Sequence, residues 1–80
     1  MPEATITLYG KPGCQQCTAT GRKLDKEGLA YSYLDTSTDS SAYDKVEELG
    51  YQQLPVVTFG SEHWSGYRPD LIQQIAASQQ

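Results

Sequence analysis

The stretch Tyr9–Cys17 reads YGKPGCQQC and contains both cysteines of the 80-residue chain. It follows residues 5–9, TITLY, in which polar and apolar side chains alternate and β-branched residues are frequent, a pattern typical of a strand. Gly10 and the residues KPG after it predict a tight turn. Because helical spacing of small and apolar residues begins at Gln15, we expect the cysteines at a turn between a strand and the start of a helix.

Periodicity and glycines place the first two helices. The first helix is predicted over residues 15–27, ends at Gly28, and has these residues on its buried face: Cys17, Thr20, Gly21 and Leu24. The second helix is predicted to start at a capping box formed by Ser41 and Asp44 and to end at Gly50. Its buried face is expected to contain Tyr43, Val46 and Leu49.

The remaining apolar runs predict three strands and a closing helix. Strands are predicted at residues 31–34 and 54–59, and Gly60-Ser61 is expected to turn the latter into a hairpin with residues 62–64. The last helix is predicted to start at Pro69, with a buried stripe formed by Leu71, Ile72, Ile75 and Ala76.

The predicted order βαβαββα describes an α/β fold with a four-stranded mixed sheet flanked by three helices. A C-x-x-C pair beside a βαβ pattern is typical of thioredoxin-like proteins, so a thioredoxin-like fold is predicted. Residues 1–80 contain no repeat or linker and are expected to form one domain. The cysteines then lie at the carboxyl end of the first strand, where reaction sites of open α/β sheets collect.

Charge and hydropathy argue against several kinds of partner. Ten acidic and six basic residues give a formal net charge of -4, which is unfavourable for binding nucleic acid or an anionic membrane surface. Residues 1–4 have no targeting pattern, and no run approaches the roughly 18 apolar residues of a membrane span. We therefore expect a cytoplasmic protein, and nothing in the sequence demands more than a monomer.

The spacing of Cys14 and Cys17 suits thiol–disulfide exchange, which needs an attacking thiolate and a second thiol that resolves the mixed disulfide. At a helix start, unpaired backbone N–H groups and the positive end of the helix dipole favour a thiolate at Cys14. Cys17 follows three residues later on the same helical face. We therefore expect Cys14 to be the nucleophile and Cys17 the resolving cysteine, with Lys11 adding positive potential.

Two other uses of the cysteines remain open at this point. Two thiolates can hold Cu(I) or supply half of a zinc site, although zinc would also require His63 and one further ligand. A purely structural interaction domain would not need the cysteines. The redox hypothesis requires no bound metal or cofactor, because its working group is the reversible Cys14–Cys17 disulfide.

Three segments of the sequence resemble known families. Tyr9–Cys17 is similar to the active-site segment of glutaredoxins, and residues 54–57, LPVV, resemble their cis-proline segment. Residues 64–70, WSGYRPD, resemble the W-S-G-[FY]-R-P-D signature of NrdH-redoxins, which are glutaredoxin-sized proteins with thioredoxin-like activity. Members of that family often have Met or Val where this chain has Gln15, so the active-site motif departs from the pattern there.

The resemblance implies a thioredoxin-like fold, a cis proline at Pro55, and the same roles for the two cysteines. It also implies that electrons come from NADPH through thioredoxin reductase and pass to the catalytic subunit of class Ib ribonucleotide reductase. Residues 53–55 and 65–68 differ from the glutathione-binding segments of glutaredoxins, so weak use of glutathione is predicted; a glutathione-dependent glutaredoxin is the alternative. Substrate or partner binding is assigned to Lys11, Pro12, Gln15, Gln16, Pro55, Trp64, Ser65, Gly66, Tyr67 and Arg68.

Several other side chains have both a packing and a binding interpretation. Trp64 and Tyr67 could anchor a protein partner or cover the core, and Arg68 could tie the last strand to the last helix or remain solvated. His63 is expected to be an exposed polar residue. The following tyrosines are expected to pack against the protein: Tyr31, Tyr33, Tyr43 and Tyr51.

Overall fold

The computed structural model describes residues 5–78, which form four strands and three helices in the predicted order. The strands are β1 (Ile6–Gly10), β2 (Tyr31–Asp35), β3 (Val56–Phe59) and β4 (Glu62–Ser65). The helices are α1 (Gln15–Lys26), α2 (Ser40–Glu48) and α3 (Pro69–Ser78). The prediction that residues 1–4 contain no targeting pattern concerns a segment outside this range.

The four strands form one mixed sheet in the order β2-β1-β3-β4. β1 pairs in parallel with β2 and antiparallel with β3, and β3 pairs antiparallel with β4. Because β1 and β2 are parallel, the chain crosses between them through α1. The predicted thioredoxin-like α/β fold is therefore confirmed, and the carboxyl ends of β1 and β2 lie at one edge of the sheet.

Each face of the sheet buries its own apolar cluster. Neighbouring residues of a strand point to opposite faces, so Leu8 and Tyr9, or Val57 and Val56, belong to different clusters. The first cluster, here named the α1/α3 core, contains Ile6, Leu8, Leu24, Val57, Trp64, Ile72 and Ile75. The second, the α2 core, contains Tyr9, Ala42, Val46 and Val56.

Helix α1 follows the prediction closely because its signals lie at both ends. It begins after the N-cap Cys14 and ends at the C-cap Glu27, followed by Gly28 at φ 71°. A positive φ at this position is adopted most easily by glycine, which explains why the helix stops there. Its buried residues are those expected from the sequence: Cys17, Thr20, Gly21 and Leu24.

The start and the buried face of α2 differ from the prediction. The N-cap is Asp39, whose Oδ1 accepts hydrogen bonds from the backbone N–H groups of Ser41 at 3.0 Å and Ala42 at 3.2 Å. The prediction of a capping box at Ser41 and Asp44 was wrong, because Asp39, two residues earlier, accepts hydrogen bonds from the first free N–H groups of the helix. The small Ala42 and Val46 face the core, whereas Tyr43 is 51% exposed.

The last elements show smaller differences. β3 starts at Val56 rather than at Leu54, and Pro55, which has no backbone N–H to donate to a sheet, lies just before it. In α3, the residues Ile72, Ile75 and Ala76 are buried as predicted. Leu71 is only partly buried, because it packs at the edge of the α1/α3 core.

Candidate active site

Cys14 and Cys17 are joined by a disulfide at the start of α1, with their Cα atoms 5.2 Å apart. Cys14 is partly exposed, whereas Cys17 is only 4% exposed and packs in the first turn of the helix. The strand β1 ends at Gly10, so the turn at residues 11–13 brings both sulfur atoms to the carboxyl end of the sheet. One sulfur is therefore accessible to a partner, and the other is held behind it.

The start of α1 places the two sulfur atoms in different electrostatic surroundings. The Sγ atom of Cys14 accepts a hydrogen bond from the backbone N–H of Cys17 at 3.1 Å. The first turn of α1 contains Gln15, Gln16 and Cys17, so only neutral side chains surround this N–H along the helix. After reduction, the N–H and the helix dipole favour the thiolate form of Cys14 over that of Cys17.

Cys14 borders a groove of about 1010 Å³. On the side of the helix start, the groove is lined by Lys11, Gln15 and Gln16, which the sequence had assigned to partner binding. The opposite wall, which sequence analysis missed, comes from α2 and from the loop before β3: Tyr43, Val46, Glu47, Tyr51, Gln52, Gln53 and Leu54. The loop residues could have been predicted to line the groove because they precede Pro55 in the sequence. No sequence signal predicted Tyr43 in this position.

The loop before Pro55 lines the groove through residues 52–54 and is held by hydrogen bonds from the end of β4. The Leu54–Pro55 peptide bond is cis, and Pro55 is buried. The carbonyl oxygen of Pro55 accepts a hydrogen bond from the N–H of Gly66 at 2.7 Å, and Ser65 Oγ donates to the carbonyl oxygen of Gln53 at 3.0 Å. Ser65 and Gly66 therefore act on the site through the loop that they fix.

Gly66 also brings the end of β4 close to α1. Its φ is 91°, and a Cβ atom there would lie 4.0 Å from the Oε1 atom of Gln16. Gly66 thus contacts both Pro55 and Gln16, and Gln16 lies between the two cysteines in the sequence. Pro12 lies exposed in the turn before Cys14.

Trp64 and Tyr67, which had the same two interpretations in the sequence, have different positions. Trp64 is buried in the α1/α3 core, and residues 5–78 provide no hydrogen-bond acceptor for its Nε1–H. Tyr67 is 39% exposed and lines a cavity of about 590 Å³ together with Gln15, Arg22 and Lys26 of α1. Packing therefore explains Trp64, and only Tyr67 presents a surface beside the active-site helix.

Arg68 binds its near neighbour Asp70 rather than bridging to a strand. Its Nε and Nη2 atoms donate to the two carboxylate oxygens of Asp70 at 3.2 and 3.0 Å. This side-chain hydrogen bonding lowers the pKa of Asp70 and raises that of Arg68. The pair is exposed and lies at the start of α3, so Arg68 stays at the surface with a local partner.

The remaining aromatic residues divide between core and surface. Tyr9 packs into the α2 core, whereas Tyr33 and Tyr43 are each about half exposed, which contradicts the expectation that they pack. His63 is exposed as expected, and its Nδ1 atom lies 2.7 Å from the hydroxyl of Tyr51. This hydrogen bond connects the groove wall to β4.

Residues 5–78 contain no group of three or more histidine, cysteine, aspartate or glutamate side chains that could hold a metal ion. Within the same range, none of the helices has the length and apolar character needed to cross a membrane.

A disulfide at the first helix of this mixed sheet, with one accessible and one buried sulfur, defines a thiol–disulfide oxidoreductase of the thioredoxin-like fold. The glutaredoxin family profile matches residues 6–64. The glutaredoxin-like protein NrdH of Salmonella typhimurium is 37% identical over 71 residues, which are 89% of this chain and 88% of that protein. This chain therefore belongs to the glutaredoxin family and, within it, to the glutaredoxin-like NrdH proteins.

Two further comparisons support this assignment. NrdH of Lactococcus lactis subsp. cremoris is 28% identical over 89% of this chain and 99% of its own length. The solved structure of NrdH-redoxin from Escherichia coli superposes with a TM-score of 0.85 at 35% identity, covering 89% of this chain and 93% of that one. That relative is described as having a thioredoxin-like activity profile.

Proposed function

We propose that this protein carries electrons from NADPH, through thioredoxin reductase, to the catalytic subunit of a class Ib ribonucleotide reductase in the cytoplasm. The observation that carries the proposal is the similarity to NrdH proteins across most of the chain. The WSGYRPD segment supports it, because Gly66 of that segment contacts the loop at Pro55 and lies beside Gln16. No cofactor needs to be bound, since NADPH acts through the reductase.

In this proposal Cys14 is the nucleophile and Cys17 the resolving cysteine. The Cys14 thiolate attacks one sulfur of the client disulfide, forms a mixed disulfide, and the other client sulfur leaves as a thiolate that takes a proton. Cys17 then loses its proton and attacks Cys14 Sγ, which releases the second client thiol and restores the Cys14–Cys17 bond. Two electrons pass to the client, and the reductase returns them by the reverse exchange.

The groove beside Cys14 is the proposed docking site for the segment of the client that carries its disulfide. Lys11, Gln15 and Gln16 form one wall, and Tyr43 with the loop before Pro55 forms the other. Tyr67 extends the contact surface on the opposite side of the helix start, where its ring is exposed next to Gln15. A partner that reaches Cys14 therefore contacts residues from both sides of α1.

The structure also supports weak use of glutathione. Ser65 Oγ and the N–H of Gly66 belong to a segment that differs from the glutathione-binding segment of glutaredoxins. Both groups donate within the protein, to Gln53 and Pro55, so they are occupied rather than directed at a tripeptide. A glutathione-dependent glutaredoxin remains the competing function.

The test is reduction of insulin disulfides and of a purified class Ib ribonucleotide reductase, with two sources of electrons in parallel. One arm contains NADPH and thioredoxin reductase, and the other contains NADPH, glutathione and glutathione reductase. We expect rapid NADPH oxidation in the first arm and slow oxidation in the second. Efficient turnover with glutathione and none with thioredoxin reductase would reverse the proposal.

Two cysteine variants test the roles within the same assay. Cys14→Ser is expected to abolish turnover in both arms, whereas Cys17→Ser is expected to accumulate a mixed disulfide with the client, detected by mass spectrometry. The roles are reversed if the trapped species appears with Cys14→Ser instead. Stoichiometric copper or zinc on the reduced, purified wild-type protein would favour a metal carrier over both electron-transfer functions.

A further inference from the structure

At Gly10 and Gly21, the space that a side chain would fill is taken up by the hydroxyl groups of two tyrosines of β2. A Cβ atom on Gly10 would lie 3.0 Å from Cε1 of Tyr33, 3.1 Å from its hydroxyl oxygen and 3.1 Å from Sγ of Cys17. A Cβ atom on Gly21 would lie 3.0 Å from the hydroxyl oxygen of Tyr31. The two tyrosines thus occupy equivalent spaces, but only the Tyr33 hydroxyl shares its space with a cysteine sulfur.

The Tyr33 hydroxyl and the Cys17 sulfur therefore face one small gap over Gly10. Two atoms that both lie 3.1 Å from one point are at most twice that distance apart. One bridging water, or a small rotation of the partly exposed tyrosine ring, connects atoms over such a span. Tyr33 lies on an edge strand, so its ring has room to make this adjustment.

Cys17 and Tyr33 also line a cavity of about 260 Å³. Besides Cys17, the charged or titratable side chains that line this cavity are Lys11, Arg22, Asp25, Tyr31 and Tyr33. They come from the loop after β1, from α1 and from β2. Asp35, also on β2, acts on Tyr33 through its charge.

Burial makes the resolving step difficult for Cys17. The sulfur must become a thiolate to attack Cys14, yet removal from water disfavours the thiolate form. The Cys17 N–H is directed at Cys14 and so stabilises the other sulfur. A donor on the opposite side of Cys17 would compensate for this.

We propose that Tyr33 is a positioning residue for Cys17, and that its hydroxyl donates a hydrogen bond to the Cys17 thiolate directly or through one water. The inference rests on the proposed role of Cys17 as the resolving cysteine. The Cys17 proton passes to water in the cavity, the thiolate attacks Cys14 Sγ, and the client sulfur leaves with the bonding pair and takes a proton. Burial and the charge of Asp35 raise the pKa of Tyr33, so its hydroxyl keeps its proton while Cys17 titrates.

The test uses an aromatic disulfide, 5,5′-dithiobis(2-nitrobenzoate), with the reduced protein in a stopped-flow spectrometer. Attack by Cys14 releases the first coloured thiolate, and resolution by Cys17 releases the second, so the two steps are seen as separate phases. Rates are measured from about pH 5 to about pH 10, which extends beyond the ordinary titration range of thiols because burial disfavours the Cys17 thiolate. Tyr33→Phe is compared with Tyr31→Phe, which removes the matched hydroxyl over Gly21.

In Tyr33→Phe we expect the second phase to be about threefold to tenfold slower at acidic pH, the range that loss of one hydrogen bond gives. The difference between wild type and variant should shrink toward alkaline pH, as the ionised fraction of Cys17 rises in both, and Tyr31→Phe should follow wild type throughout. Equal slowing at every pH would show a merely structural role and overturn the proposal. Unchanged rates, or the same pH-dependent loss in Tyr31→Phe, would also overturn it.

A separate experiment tests whether Cys14 is the nucleophile and Cys17 the resolving cysteine. The Cys17→Ser variant, treated with the same reagent, is expected to stop after one thiolate with the label on Cys14, as located by peptide mass spectrometry. If labelling instead requires Cys17, the assignment of the cysteines is wrong, whatever the result for Tyr33→Phe.

Discussion

The apolar cores on the two faces of the sheet differ in size, and the disulfide lies at one end of the sheet. Seven buried residues and two helices form the α1/α3 core, whereas the α2 core contains four buried residues and one helix. Cys17 packs on α1, above the deeper core, and Cys14 borders a groove whose far wall is α2. The deeper face therefore carries the helix with the buried Cys17, and the thinner face borders the groove beside Cys14.

This division has a physical advantage for an electron carrier. Local opening costs least where few apolar contacts are made, so we expect the groove wall formed by α2 to open more easily than α1, which carries Cys17. The following variants test the comparison in order of decreasing effect on the free energy of unfolding, measured by urea denaturation.

Leu24→Ala should have the largest effect. Leu24 is completely buried in the α1/α3 core, so truncation leaves a cavity and is expected to cost about 2 to 5 kcal/mol. Lys26→Ala, an exposed position on the same helix, is the control and should change stability by less than about 0.5 kcal/mol. A similar cost for the two variants would contradict the assignment of α1 to the deeper core.

Val57→Ala and Val56→Ala compare the two faces directly. These neighbours on β3 are both completely buried and have identical side chains, but they belong to different cores. We expect Val57→Ala to cost about 2 kcal/mol and Val56→Ala about 1 kcal/mol, because the thinner α2 core relaxes more easily around the lost methyl groups. If the two variants lose equal free energy of unfolding, or Val56→Ala loses more, the two cores do not differ as proposed.

Asp39→Ala tests how α2 is anchored. The Asp39 carboxylate accepts two hydrogen bonds from the start of this helix, and its loss is expected to cost about 0.5 to 2 kcal/mol. Asp39→Asn keeps an acceptor at the same place and should retain most of the stability. Loss of client reduction in Asp39→Ala at temperatures where the protein stays folded would connect α2 to the groove.

Lys23→Met should have the smallest measurable effect. Lys23 Nζ lies 2.7 Å from Glu27 Oε2 and 3.1 Å from Gln73 Oε1, so it joins α1 to α3 across the deeper face. We expect a loss of up to about 1 kcal/mol that shrinks as salt is added. Lys45→Met removes a 3.9 Å pair with Glu48 on the other face and should have no measurable effect.

Signals close to the cysteines predicted much of the structure correctly. A strand, a glycine turn and a periodic helix follow one another within residues 5–28, and local rules determine each of them. The same rules placed the disulfide at the carboxyl end of β1. These predictions were successful because the contacts involved are short in sequence.

The groove wall was not predictable in the same way, because it depends on how α2 is rotated against the sheet. Helical spacing allows either Ala42 or Tyr43 to share the face of Val46, and packing against the sheet places Ala42 inward and Tyr43 outward. The gap shared by Tyr33 and Cys17 is equally hidden in the sequence. It requires Gly10 in β1 to lie beside β2, a register that only the assembled sheet defines.

The hydrogen bond from the Cys17 amide to Cys14 Sγ exists while the two sulfurs are still bonded. The donor that would hold the anion is therefore in place before any electron arrives, and we expect the main chain to stay nearly still through the catalytic cycle. The oxidised and reduced forms would then present almost the same surface to the protein that supplies electrons and to the protein that receives them. We therefore expect the release of a partner to depend on cleavage of the covalent link rather than on a change of shape.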